Sequence, residues 1–155
     1  MHHLLPLMEL SMTPVPSLTR AVWRSLTGQG DLMYWSGRAG RMIGDKASKQ
    51  LMDEYFDHLS KLDPFICFRM VKAMGEHSAK DLLPEIDAPA LILAGAKDVM
   101  TPPRLAEEMA EAMPNARLAI FSEGSHTLPI DEPDRVSSLV EEFVADVERA
   151  ERERI

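Results

Sequence analysis

Two short stretches place an acid and a base where ligand chemistry is done. "LILAGAKDVMTPP", Leu91 to Pro103, is an apolar run that ends in a turn delivering Asp98. "FSEGSHTLPIDEP" does the same for His126. Both apolar runs lack polar alternation and precede a helical pattern, the grammar of parallel strands in an α/β sheet. In such sheets ligands bind outside the carboxyl ends of the strands, where both residues fall. A carboxylate bonded to one imidazole nitrogen fixes the tautomer and leaves the other nitrogen to take a proton. The pair therefore suits general-base activation of a nucleophile, and the expected separation is one hydrogen bond.

The elements that must hold this pair form two regions meeting near residue 80. Residues 1–80 read as a helical array. "SLTRAVWRSL" and "DLMYWSGRAGRMIG" are helices separated by the Gly28–Gly30 turn. "ASKQLMDEYFDHLS" carries Leu51, Met52, Tyr55, Phe56 and Leu59 on one stripe. "LDPFICFRMVKAM" starts with Asp63 as N-cap and Pro64 in the first turn. Residues 81–155 read as strand, helix, strand, helix: "APALILAG", a helix opened by Thr101 and Pro102, "ARLAIF", and a helix after Pro133. The two strands are expected to pair in parallel. The charged end, "ERAERERI", reads as a solvated helix end.

Composition excludes several classes of function. The 155 residues carry a net charge of −8, and residues 79–155 hold 17 Asp+Glu against 8 Lys+Arg. An acidic chain without a basic cluster lacks the footprint that phosphate backbones need, so nucleic acid is not an expected partner. The single cysteine, Cys67, excludes an internal disulfide and suits a reducing, cytoplasmic setting. No Cys/His spacing suits zinc, and no metal or cofactor is expected. The opening "MHHLLPLMEL" lacks a basic start and is broken by Pro6 and Glu9, so it makes a poor signal peptide. No apolar run approaches the ~20 residues of a membrane span.

"EIDAPALILAGAKDVMTPP" resembles the penultimate strand and acid turn of the α/β-hydrolase superfamily, and "GSHTLPIDEP" resembles its histidine loop. The resemblance covers about residues 84–147. It implies an α/β fold in which Asp98 is the triad acid and His126 the triad base, with residues 1–80 as a helical cap or lid and 81–155 as a C-terminal core segment. It further implies an esterase-like enzyme acting on a small apolar substrate, with epoxide hydrolase, dehalogenase and perhydrolase as alternatives. Tyr34, Trp35, Tyr55, Phe65 and Phe68, on the cap side, are candidates to line the substrate site, against ordinary helix packing.

The family's nucleophile elbow, Gly-x-Ser-x-Gly, has no counterpart here. "GRMIG", Gly40 to Gly44, has its glycine spacing but places Met42 at the centre, and reads instead as a place where helices pack closely. Ser125 adjoins His126, and Cys67 lies in an apolar helix; neither is expected to act as the nucleophile. The chain thus reads as a truncated hydrolase, inactive alone. The second reading is a non-catalytic binding or interaction module, or half of a split enzyme, with self-association or a complementing N-terminal half as partner.

Overall fold

The computed structural model describes residues 16–153, so His2, His3 and the opening segment lie outside the described residues. The chain divides into two compact units. One takes the described residues up to Trp35 together with Lys49–Ser78; the other takes Ser36–Ser48 together with residues from Ala79 onward.

The first unit is helical: α1 (Pro16–Thr27), the start of α2 (Gly30–Ala39), α3 (Lys49–Lys61) and α4 (Pro64–Glu76). Helix α1 packs against α3 and α4. On α3, Met52, Phe56 and Ser60 are buried, whereas Leu51 and Tyr55 are exposed. At 100° per residue, 52, 56, 59 and 60 form the centre of the stripe and 51 and 55 its margin, so the buried face is narrower than the sequence suggests. Trp23 Nε1 donates to the Leu59 carbonyl at 3.1 Å, and Arg20 pairs with Asp63 at 2.9 Å.

Helix α4 opens as its sequence dictates. Asp63 is the N-cap, its Oδ1 accepting from Phe65 N at 2.9 Å, and Pro64 occupies the first turn, where a missing N–H costs nothing. Asp63→Ala is expected to lower stability by about 1 kcal/mol through the lost cap, with the exposed Arg20 pair adding little. The shift in urea midpoint measures it.

In the second unit, the sequence reading of one helix from 31 through 44 is corrected. Helix α2 stops at Ala39. Arg41 takes a left-handed conformation, φ 58°, and Met42 N and Arg41 N donate back to the carbonyls of Gly37 and Arg38 at 2.9 and 3.0 Å. This is a Schellman stop, with arginine at the position glycine usually fills. "GRMIG" is therefore a helix terminus and turn rather than a helix-packing stretch.

Beyond it come a 3₁₀ turn (Lys80–Glu85), β1 (Ala90–Gly95), α5 (Pro103–Ala112), β2 (Ala116–Phe121), the short α6 (Leu128–Asp131) and α7 (Pro133–Arg152). The strands pair in parallel, from Ala90 opposite Ala116 to Gly95 opposite Phe121. Helix α5 packs on both strands and α7 on β1. Phe121 is fully buried, with the Arg135 guanidinium 4.3 Å above its ring. An apolar run without polar alternation suits a strand covered on both faces, yet Leu91, Ile92 and Leu93 are only half-buried. The sheet has two strands among the described residues, so β1 pairs along one edge.

Candidate functional site

The two strand ends approach so closely that only glycines fit. A Cβ on Gly95 would lie 2.5 Å from the Gly124 carbonyl group. Beyond the strands the pairing continues, with Ala96 N donating to Phe121 O and Lys97 N to Gly124 O, both at 2.9 Å. Lys97 also pairs with Glu123. The turn carrying Asp98 and the loop carrying His126 are thereby stitched together.

His126 Nδ1 lies 3.0 Å from Asp98 Oδ2. The Asp98 carboxylate accepts three further hydrogen bonds: Oδ1 from Met100 N at 2.8 Å and Thr101 N at 2.9 Å, and Oδ2 from the Thr101 hydroxyl at 2.7 Å. Its side chain is 8% exposed, that of His126 40%. Burial pushes the Asp98 carboxyl up, but the donors of Thr101, His126 and Met100 together outweigh burial and hold it below the ordinary carboxylate range. A charged carboxylate facing Nδ1 favours the tautomer with the ring proton on that nitrogen, which leaves Nε2 free to accept one.

This arrangement predicts an acid limb in stability. Asp98 binds its proton less readily folded than unfolded, as do Asp57, Asp63, Glu108, Glu123 and Asp146. The stabilisation is complete above the unfolded value, 3.8 for Asp98, and is lost as pH falls through the lower folded value. The other five are in solvent-screened pairs and contribute less. Urea midpoints measured from pH 6 downward are expected to fall below about pH 4, less steeply in Asp98→Asn.

The pair borders a cavity of about 600 Å³ lined by Ile92, Leu105, Met109, Leu128 and Val136. On its other side Asp98 borders a second cavity, about 590 Å³, lined by Arg38, Arg41, Asp45 and Lys97. The site thus has an apolar side and a charged side.

The five aromatic candidates all belong to the helical unit. Tyr34 is buried and meets Trp35 edge-on at 5.1 Å, while Trp35 and Tyr55 are exposed. Phe65 lies under the Arg20 guanidinium at 5.3 Å, and Phe68 meets Trp23 edge-on at 5.9 Å. Cys67 is a free, half-buried thiol on α4. Ser125 is 3% exposed, and its hydroxyl donates to Asp131 at 2.7 Å, which removes it as a nucleophile. Asp131, Thr127 and Thr101 are polar residues of the site that sequence reasoning missed. The hydroxyl residues on either side of His126, with a carboxylate five positions after it, were the available signal. Among the described residues no cluster of three His, Cys, Asp or Glu could hold a metal, and no helix is long and apolar enough to cross a membrane.

The chain is similar to several known proteins. Residues 66–154 match the family model described as "TAP-like protein", an α/β-hydrolase family. A pimeloyl-[acyl-carrier protein] methyl ester esterase of Neisseria meningitidis serogroup B is 27% identical over 111 residues, 70% of this chain and 37% of that protein. Among solved structures, an esterase from Exiguobacterium antarcticum superposes with a TM-score of 0.62 at 24% identity, over 81% of this chain and 47% of the other. A bromoperoxidase from Bacillus anthracis gives 0.64 at 17% identity, over 85% and 50%. The chain spans half or less of the length of these relatives.

Proposed function

Because this chain belongs to the α/β-hydrolase superfamily, through its match to the TAP-like family, we propose that Asp98 and His126 are the acid and base of an ester hydrolase for small substrates with an apolar acyl group. The observation that carries the proposal is the 3.0 Å contact between His126 Nδ1 and a buried carboxylate saturated with donors.

In this reading Nε2 takes the proton of a nucleophilic hydroxyl as its oxygen attacks the ester carbonyl. The same proton then passes to the departing alcohol oxygen, and water later releases the acyl group by the reverse sequence. The nucleophile and the oxyanion donors come from a segment joined to this chain or from a second chain, and this chain alone is inactive. Support for the ester class comes from the esterase relative and from the apolar cavity beside the pair. The lone free thiol suits a reducing, cytoplasmic setting.

A second reading, an interaction module, is favoured by one observation: among the described residues β1 pairs along one edge only, and its apolar residues are half-exposed. Such an edge is a template for another strand. A graft separates the two readings. Placing this chain in the position of the matched 47% of the Exiguobacterium antarcticum esterase supplies the rest of that enzyme. The graft is expected to hydrolyse 4-nitrophenyl esters, with kcat/KM rising from acetate to hexanoate by up to about fourfold per methylene as apolar surface is buried. A folded graft with no turnover favours the interaction module.

A further inference from the structure

We propose that Asp131 is a positioning residue, clamping the residues on both sides of His126 so that the imidazole presents Nδ1 to Asp98. The proposal deepens the acid–base reading and rests on it.

Asp131 ends α6 and is 5% exposed. Its Oδ2 accepts from the Ser125 backbone N–H at 3.0 Å and the Ser125 hydroxyl at 2.7 Å, and its Oδ1 accepts from the Thr127 hydroxyl at 3.0 Å. A carboxylate can only accept, so both hydroxyl protons must point at it. Their lone pairs are then turned outward: Ser125 Oγ accepts from Thr127 N–H at 3.1 Å, and Thr127 Oγ1 from Gly44 N–H at 3.1 Å. The two hydroxyl oxygens also lie 2.9 Å from one another, so Asp131, Ser125 and Thr127 form one closed hydrogen-bonded group around His126. The segment around Gly44 closes over the group, since a Cβ there would lie 2.4 Å from both Asp131 oxygens.

Asp131 has no ion-pair partner among the described residues, so its burial is offset by hydrogen bonds alone. A buried unpaired carboxylate is a poor way to stabilise a loop, because its desolvation costs more than an apolar side chain would. What it does achieve is a single conformation for residues 125–127, and His126 is the residue between the two it grips.

The test reads the ring of His126 rather than stability. The 155-residue chain, labelled with ¹⁵N-histidine and held well above neutral pH, is compared with its variants by long-range ¹H–¹⁵N correlation. Wild type is expected to show the Nδ1–H tautomer with a downfield proton bonded to Asp98. Asp98→Asn is expected to lose both. Asp131→Asn, close in shape but carrying donors where acceptors are needed, is expected to lose the single tautomer while the His58 and His77 signals stay unmoved. Thr127→Val is expected to act in the same direction and Thr127→Ser to retain the wild-type spectrum. Should Asp131→Asn fail to fold, the Thr127 pair decides alone. Wild-type His126 signals in Asp131→Asn and Thr127→Val, with Asp98→Asn altered, would overturn the positioning role only. Unaltered signals in Asp98→Asn would overturn the acid–base reading and this proposal with it.

Discussion

Asp98→Asn is expected to lower kcat of the esterase graft by about 10⁴-fold, with little change in KM. Asparagine can turn its carbonyl oxygen or its amide toward Nδ1, and its amide would face the Met100 and Thr101 donors that the carboxylate accepts. The network therefore turns the asparagine oxygen to those backbone amides and its NH₂ to His126. Nδ1 must then accept, the ring proton moves to Nε2, and the base points the wrong atom at the nucleophile. The fold should persist, because Asp98 sits at a turn outside both strands. Initial rates at saturating 4-nitrophenyl butyrate give kcat, and circular dichroism checks the fold. A loss of less than tenfold would remove Asp98 from the mechanism.

The largest expected effect on stability is at Phe121. It is fully buried at the end of β2, its carbonyl accepts from both Ala96 N and Gly124 N, and Arg135 caps its ring. Phe121→Ala removes the ring from between the sheet and α7 and leaves a cavity, at a cost of about 3–5 kcal/mol. Phe121→Leu keeps most of the volume and should cost well under half as much. Urea unfolding of the two variants against wild type checks both figures. Near-equal midpoints for alanine and leucine would mean that the ring does not hold these elements together.

The strands, the helix order and the Asp98–His126 contact were legible in the sequence for one reason. An apolar run ending in a polar turn before a capped helix has few alternative conformations, and two such units in succession bring their turns to the same end of the sheet. Asp63 and Pro64 announced the start of α4 in the same way, through groups whose preferences are local. What the sequence hid was set by contacts distant along the chain. The stop of α2 depended on Arg41 entering a conformation that glycine normally takes. Asp131 looked like an ordinary charged residue before a helix. Its burial follows from Gly44, 87 positions earlier, whose lack of a side chain lets the backbone close over the carboxylate. The half-exposure of β1 was equally invisible, because an apolar run states what a strand prefers to meet and not what is there to meet it.

His126 is proposed to act as the base of an ester hydrolase. The most direct test is the rate of 4-nitrophenyl butyrate hydrolysis by the folded graft, intact and with His126→Gln, with fluorophosphonate labelling followed in parallel. Turnover and labelling are expected in the intact graft, with a fall in both of at least about 10³-fold in the variant, since the nucleophile loses the group that takes its proton. Turnover that survives His126→Gln undiminished would contradict this role for His126.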